Sequence, residues 1–73
     1  MLHKRSFSLA GHRTSVALEA EFWQALARLA AARGKSLVAL VAEIDAARGP
    51  AVPLASALRV HALLNPQPAP PPC

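Results

Sequence analysis

The sequence predicts a mostly α-helical fold with one short β-strand, completed as a homodimer, and three observations carry that prediction. Residues 13–18 alternate between two faces, with Thr14, Val16 and Leu18 on one and Arg13, Ser15 and Ala17 on the other, the period-two pattern of a half-buried strand. Directly after it, two stretches repeat apolar residues at helical spacing. With 73 residues, a single cysteine and no zinc-ligand spacing, the chain is too small to bury a comfortable core alone, and association with a second copy is the usual remedy.

In chain order, residues 1–12 form a basic N-terminal arm, since His3, Lys4, Arg5, His12 and Arg13 all precede the first acid, Glu19. Arg5, Ser6, Phe7, Ser8 and Leu9 also alternate. That segment is either a second extended strand joined to Arg13 through Ala10, Gly11 and His12, or a flexible arm that orders on binding. The strand at 13–18 stops where Glu19, Ala20 and Glu21 open a helix with carboxylates at the positive end of its dipole. Phe22, Ala25, Leu26, Leu29 and Ala30 give that helix its apolar stripe, and Gly34 supplies the left-handed residue that ends it, so it covers 20–33.

Ser36 caps a second helix that carries Leu37, Leu40, Val41 and Ile44 on one face and stops at Arg48, Gly49 and Pro50. A loop of only two or three residues makes the two helices neighbours. Pro53 starts a shorter third helix through Leu64, with Leu54, Leu58 and His61 on one face, until Asn65 and Pro66 stop it. The chain thus divides into the arm (1–12), a core of strand and two helices (13–48), the third helix (49–65) and a disordered tail (66–73) holding five of the seven prolines.

A strand followed only by helices leaves its backbone groups unpaired unless the N-terminal segment supplies partners. The simplest solution pairs residues 13–18 antiparallel with their copy in a second subunit, as an intermolecular two-stranded ribbon. Thr14, Val16 and Leu18 of both chains then cover a helical core, while Arg13, Ser15 and Ala17 face outward on a ribbon of the width that a DNA major groove admits. The expected dimer core comprises Thr14, Val16, Leu18, Phe22, Trp23, Leu26, Leu40, Val41 and Ile44.

Eight Lys and Arg against four Asp and Glu give a net charge of +4, which favours an anionic partner, double-stranded DNA first. Lys4 and Arg5 suit phosphate contacts. The apolar runs are too short for a transmembrane span, and no apolar segment of signal-peptide length follows Lys4 and Arg5, so a cytoplasmic protein is expected. Glu43 and Asp45 on the second helix argue against a cationic helix lying on membranes. His3, His12 and His61 lack ligand spacing, and no carboxylate has a paired base or nucleophile. No metal, no cofactor and no enzymatic activity are expected. Trp23, beside Phe22, reads as packing rather than as a platform for stacked bases, and Cys73 as an exposed thiol.

Several motifs together resemble the ribbon-helix-helix DNA-binding proteins. The likeness covers residues 13–48 through the strand Arg-Thr-Ser-Val-Ala-Leu-Glu, the helix ending in Ala-Arg-Gly, and Lys-Ser-Leu at the second helix. It extends to a bacterial subgroup through Lys4 to Ser6, Gly11 to Ser15, Glu19 to Trp23 and Ser56 to Val60. The resemblance implies a homodimer whose paired strands enter the major groove, with Arg13, Ser15 and Ala17 touching base edges. It also places the start of the second helix, at Ser36 and Leu37, against a phosphate, with Lys35 adding charge. Ala17 departs from stronger family members, since it offers only apolar contact to a thymine methyl. Transcription regulation is the function implied. The alternative is a protein-interaction module, such as the antitoxin of a toxin–antitoxin pair, in which the third helix or the tail engages a partner protein.

Overall fold

Of the two readings of the N-terminal segment, the chain adopts the extended strand. In the computed structural model, which describes residues 1–68, β1 (Leu2–Leu9) pairs antiparallel with β2 (His12–Glu19) of the same chain. Residues 69–73, the end of the expected proline-rich tail with Cys73, lie outside the described residues. The single strand expected at 13–18 is corrected to two strands of eight residues each. The physical reason is the backbone pairing itself: β1 supplies partners along the whole of β2, from Leu9 opposite His12 to Leu2 opposite Glu19. A two-stranded ribbon is therefore present within one chain, and one edge of β2 is paired without a second copy.

The strands are joined by Ala10 and Gly11 alone, with His12 already in β2. Both turn residues have positive φ, 50° at Ala10 and 81° at Gly11, as a two-residue hairpin loop of type I′ demands. Glycine meets that demand freely, whereas an alanine in the left-handed region is strained by roughly 1–2 kcal/mol. Asparagine tolerates this conformation and retains a side chain. Ala10→Asn is therefore expected to stabilise the protein by about 1 kcal/mol, read as a rise of about 4–8 °C in the thermal midpoint. A midpoint that stays put or falls contradicts the assigned turn.

Three helices follow: α1 (Ala20–Ala32), α2 (Leu37–Ala47) and α3 (Leu54–Leu64). α1 ends in a Schellman motif, in which Lys35 N–H donates to the Ala30 carbonyl and Gly34 N–H to the Ala31 carbonyl, both at 3.0 Å, with Gly34 at φ 67°. Ser36 caps α2 through its hydroxyl oxygen, which accepts from Ala39 N–H at 3.1 Å. Arg48 fixes the turn into α3: its Nε donates to Asp45 at 2.8 Å and its Nη1 to the Val52 carbonyl at 2.7 Å. At the far end of α3, Asn65 Nδ2 donates to the His61 carbonyl at 2.9 Å.

The helices pack pairwise against one another, α1 and α3 also against β2, and α2 against β1. Alternation in the strands sends Phe7, Leu9, Val16 and Leu18 inward to meet Trp23, Leu26, Leu29, Leu40, Val41, Ile44, Leu54, Leu58 and Ala62 in one core. His61, expected on the packed face of α3, is half-buried, and Ala62 takes the inner position. Of the residues expected to form the core of a dimer, Val16, Leu18, Trp23, Leu26, Leu40, Val41 and Ile44 are already buried within one chain. Thr14 and Phe22 are half-buried. Filling of the core by β1 and α3, neither counted in the strand-and-two-helix unit, accounts for this.

Candidate nucleic-acid interface

A two-stranded ribbon anchored by one face leaves the other to solvent, and the register determines which side chains it carries. Outward positions pair as Leu2 with Glu19, Lys4 with Ala17, Ser6 with Ser15, and Ser8 with Arg13. Lys4, Ser6, Ser8, Arg13 and Ser15 are exposed, and Ala17 is half-buried. The hydroxyls of Ser6 and Ser15 lie 3.0 Å apart in a cross-strand hydrogen bond. The ribbon face thus presents two cations, a pair of linked hydroxyls, a further serine and a small apolar residue, a set suited to phosphates and base edges, with Leu2 and the Arg59-paired Glu19 at its end.

The expected base-reading residues Arg13, Ser15 and Ala17 share this face, and Lys4 joins them. Arg5 does not. It lies on the opposite parity of β1, where its guanidinium carbon sits 5.2 Å from the centre of the Trp23 ring. The same indole is 4% exposed, packs against Phe7 at 5.9 Å between centroids, and donates its N–H to the His3 carbonyl at 2.7 Å. Trp23 therefore fastens β1 to α1, in keeping with packing rather than base stacking.

Lys35, Ser36 and Leu37 stand together at the start of α2. Lys35 is engaged in an ion pair with Glu43, the Ser36 hydroxyl oxygen accepts the capping bond, and Leu37 is half-buried against the core. The Lys35 ammonium holds the Glu43 carboxyl below the usual glutamate range. A phosphate contact by Lys35 would compete with Glu43.

Sequence reasoning did not single out Ser6 and Ser8. Their outward parity was visible in the alternation of residues 5–9, but became meaningful only once that segment was known to pair with β2. It also missed the tie between Glu19 and Arg59, which are 40 residues apart. Arg59 of α3 donates through Nε at 3.1 Å and Nη2 at 3.0 Å to one oxygen of Glu19, and lies 5.7 Å over the Phe22 ring. This tie secures the end of β2 to the third helix.

Backbone hydrogen bonding at Glu19 and then the Arg59 guanidinium lower the carboxyl below its ordinary value of 4.5. Because the folded state holds the stronger acid, the contribution is complete above pH 4.5 and is lost as pH falls through the folded-state value. An NMR titration is expected to place the Glu19 midpoint below 4.5, and Arg59→Gln to move it upward. A midpoint unmoved by Arg59→Gln would remove Arg59 from the account.

Among the described residues, no helix is long and apolar enough to cross a membrane, and no group of three or more His, Cys, Asp or Glu is placed to hold a metal ion. No curated protein and no solved structure matches the chain. A family model described as a ribbon-helix-helix domain matches residues 2–65. That span runs from the first residue of β1 past the end of α3, so it takes in both strands and all three helices. Such domains are in general DNA-binding transcription regulators or antitoxins. On that match, the chain belongs to the ribbon-helix-helix domain family.

Proposed function

We propose that the protein is a homodimeric, sequence-specific DNA-binding regulator of transcription that inserts its β-ribbon into the major groove. The observation that carries this reading is the exposure of Arg13 and Ser15, with Lys4, on the outer face of a two-stranded ribbon whose inner face is fixed in the core. Arg13 suits the two acceptors of a guanine, Ser15 either base of a pair, and Ala17 the methyl of a thymine. The free N–H groups at the start of α2, near Ser36 and Leu37, suit a phosphate, with Lys35 available once it leaves Glu43. Lys4 and Arg5 add positive charge near the groove, and Arg5 does so from its place over Trp23.

Dimerisation is supported by the apolar surface that one chain leaves uncovered. Val60, Leu63 and Leu64 of α3 recur at helical spacing and are exposed, Leu63 by 73% and Leu64 by 72%. The same helix favours a second reading, in which a partner protein, as in a toxin–antitoxin pair, covers α3 beside a groove of ≈ 470 Å³ lined by Ile44, Ala47, Val52, Ala57 and Val60 together with Arg48 and His61. Sedimentation of the purified chain at twice its monomer mass supports the homodimer; a second polypeptide co-purifying in equal amount supports the partner.

DNA binding is tested by titrating duplex fragments selected from a randomised pool at several salt concentrations. Affinity is expected to fall steeply with salt and to drop for Arg13→Ala. Binding that ignores both salt and Arg13 rules the ribbon out as the interface.

A further inference from the structure

Resting on the reading that the ribbon of a homodimer binds duplex DNA, we propose that the cleft between the first half of β1 and α1 is an anion site that takes a backbone phosphate at the rim of the groove. The cleft has a volume of ≈ 410 Å³ and is lined by His3, Lys4 and Arg5 of β1 and by Ala20, Trp23, Gln24 and Ala27 of α1. Alanines at 20 and 27 keep the helix wall low around Gln24, whose amide adds a donor. The strand wall is basic throughout.

Trp23 builds the floor. Its N–H is engaged by the His3 carbonyl at 2.7 Å, which holds β1 against α1, so recognition of an anion falls to the cations around it. The Arg5 guanidinium carbon lies 5.2 Å from the centre of the indole ring. A guanidinium held over an aromatic face is placed before a ligand arrives, which reduces the entropy lost on binding. Its planar fork of donors matches two oxygens of one phosphate.

No acid lines the cleft. Of the four acids in the chain, Glu19 is paired with Arg59, Glu43 with Lys35 and Asp45 with Arg48. The fourth, Glu21, is exposed one residue beyond Ala20 on α1 and makes no ion pair among the described residues. Lys4 and Arg5 make none there either, so their charge is available to an external anion.

Position in the sheet identifies that anion. Lys4 lines the cleft and also stands on the outward face of the ribbon opposite Ala17, so the two surfaces are continuous. The outward row beyond it is Leu2 with Glu19, whose carboxylate is held by Arg59 at 3.0 Å. β2 is paired with β1 along one edge only, and a homodimer that pairs its other edge with the copy leaves a β1 strand outermost on each side. The outer strands of that four-stranded sheet are roughly 14 Å apart, against a major groove about 12 Å wide. β2 and its copy then lie over the groove floor, and each β1 lies over a rim, where the phosphates are. The cleft is bounded by β1 and not by β2, so it belongs to the rim.

The experiment uses the full-length protein and a duplex that it selects from a randomised pool. Arg5→Met and Lys4→Met are each expected to weaken all duplexes alike, by about 5-fold, and to lower the slope of affinity against salt by about one ion. Thermal melts check that Arg5→Met folds, and the exposed Lys4 carries the test if it does not. Replacing the duplex phosphates one at a time by an uncharged methylphosphonate is expected to reveal a position bordering the groove at which the wild type loses affinity and the two variants lose no more. Losses equal to those of the wild type at every position overturn the inference. If Arg13→Ala relaxes base preference while Arg5→Met and Lys4→Met keep wild-type affinity and salt slope, the ribbon reading stands and the inference falls. If Arg13→Ala behaves as wild type, the ribbon reading falls and takes the inference with it. Inorganic phosphate that shifts the amide resonances of residues 3–5, where the selected duplex leaves them unmoved, makes the cleft a site for a free anion and overturns its assignment to DNA.

Discussion

Leu26→Ala is expected to destabilise the protein by about 3–5 kcal/mol, enough to leave much of the chain unfolded near room temperature. Leu26 is 0% exposed and lies in the middle of α1 within the single core. Truncation removes buried methyl groups and leaves a cavity in a core whose other leucines, Leu40 and Leu58 among them, are themselves fully buried. A chain of this size has about 4–11 kcal/mol of stability in total, so the loss is comparable with the whole. Chemical denaturation monitored by circular dichroism measures it. Val38→Ala on the exposed side of α2, where Val38 is 53% exposed, serves as the comparison and is expected to change stability by no more than about 0.5 kcal/mol. Equal effects for the two variants would mean that the core is not built as described.

Arg13→Ala is expected to weaken binding to a selected duplex by about 5- to 150-fold, the range that accompanies loss of a bidentate guanine contact worth roughly 1–3 kcal/mol. Arg13 is exposed on the outer face of β2, so the melting curve should be nearly unchanged. Lys35→Ala is the contrasting case. If Lys35 contacts a phosphate, its removal weakens all duplexes alike and lowers the slope of affinity against salt by about one ion. Arg13→Ala should instead flatten the preference for one base position. A variant that lost affinity uniformly, with no change of preference, would place Arg13 among the phosphate contacts.

The helices were legible in the sequence because their boundaries are written in local chemistry. Glu19 to Glu21, Gly34, Ser36 and Pro53 fall where a helix starts or stops, and the apolar stripes of α1 and α2 needed no knowledge of the rest of the chain. The outward set Arg13, Ser15 and Ala17 was legible for the same reason, because alternation in a strand sorts side chains without reference to a partner.

What was not legible depends on pairing. The turn holds alanine at a position where asparagine or aspartate would have announced a hairpin, so residues 5–9 stood equally well as strand or arm. With β1 unassigned, β2 appeared unpaired, and an intermolecular ribbon followed from a premise that the hairpin removes. Arg5 at an inward-parity position weakened the alternation further. Its place over the Trp23 ring explains why a charged residue is tolerated there. The Glu19–Arg59 tie joins elements 40 residues apart, beyond the reach of any local pattern.

The most direct test of the outer ribbon face as the DNA contact is an NMR titration of the isotope-labelled full-length chain with a selected duplex. The largest amide shifts are expected on Lys4, Ser6, Ser8, Arg13, Ser15 and Ala17, with smaller shifts at the start of α2. Shifts concentrated on α3, with both strands unmoved, would contradict it.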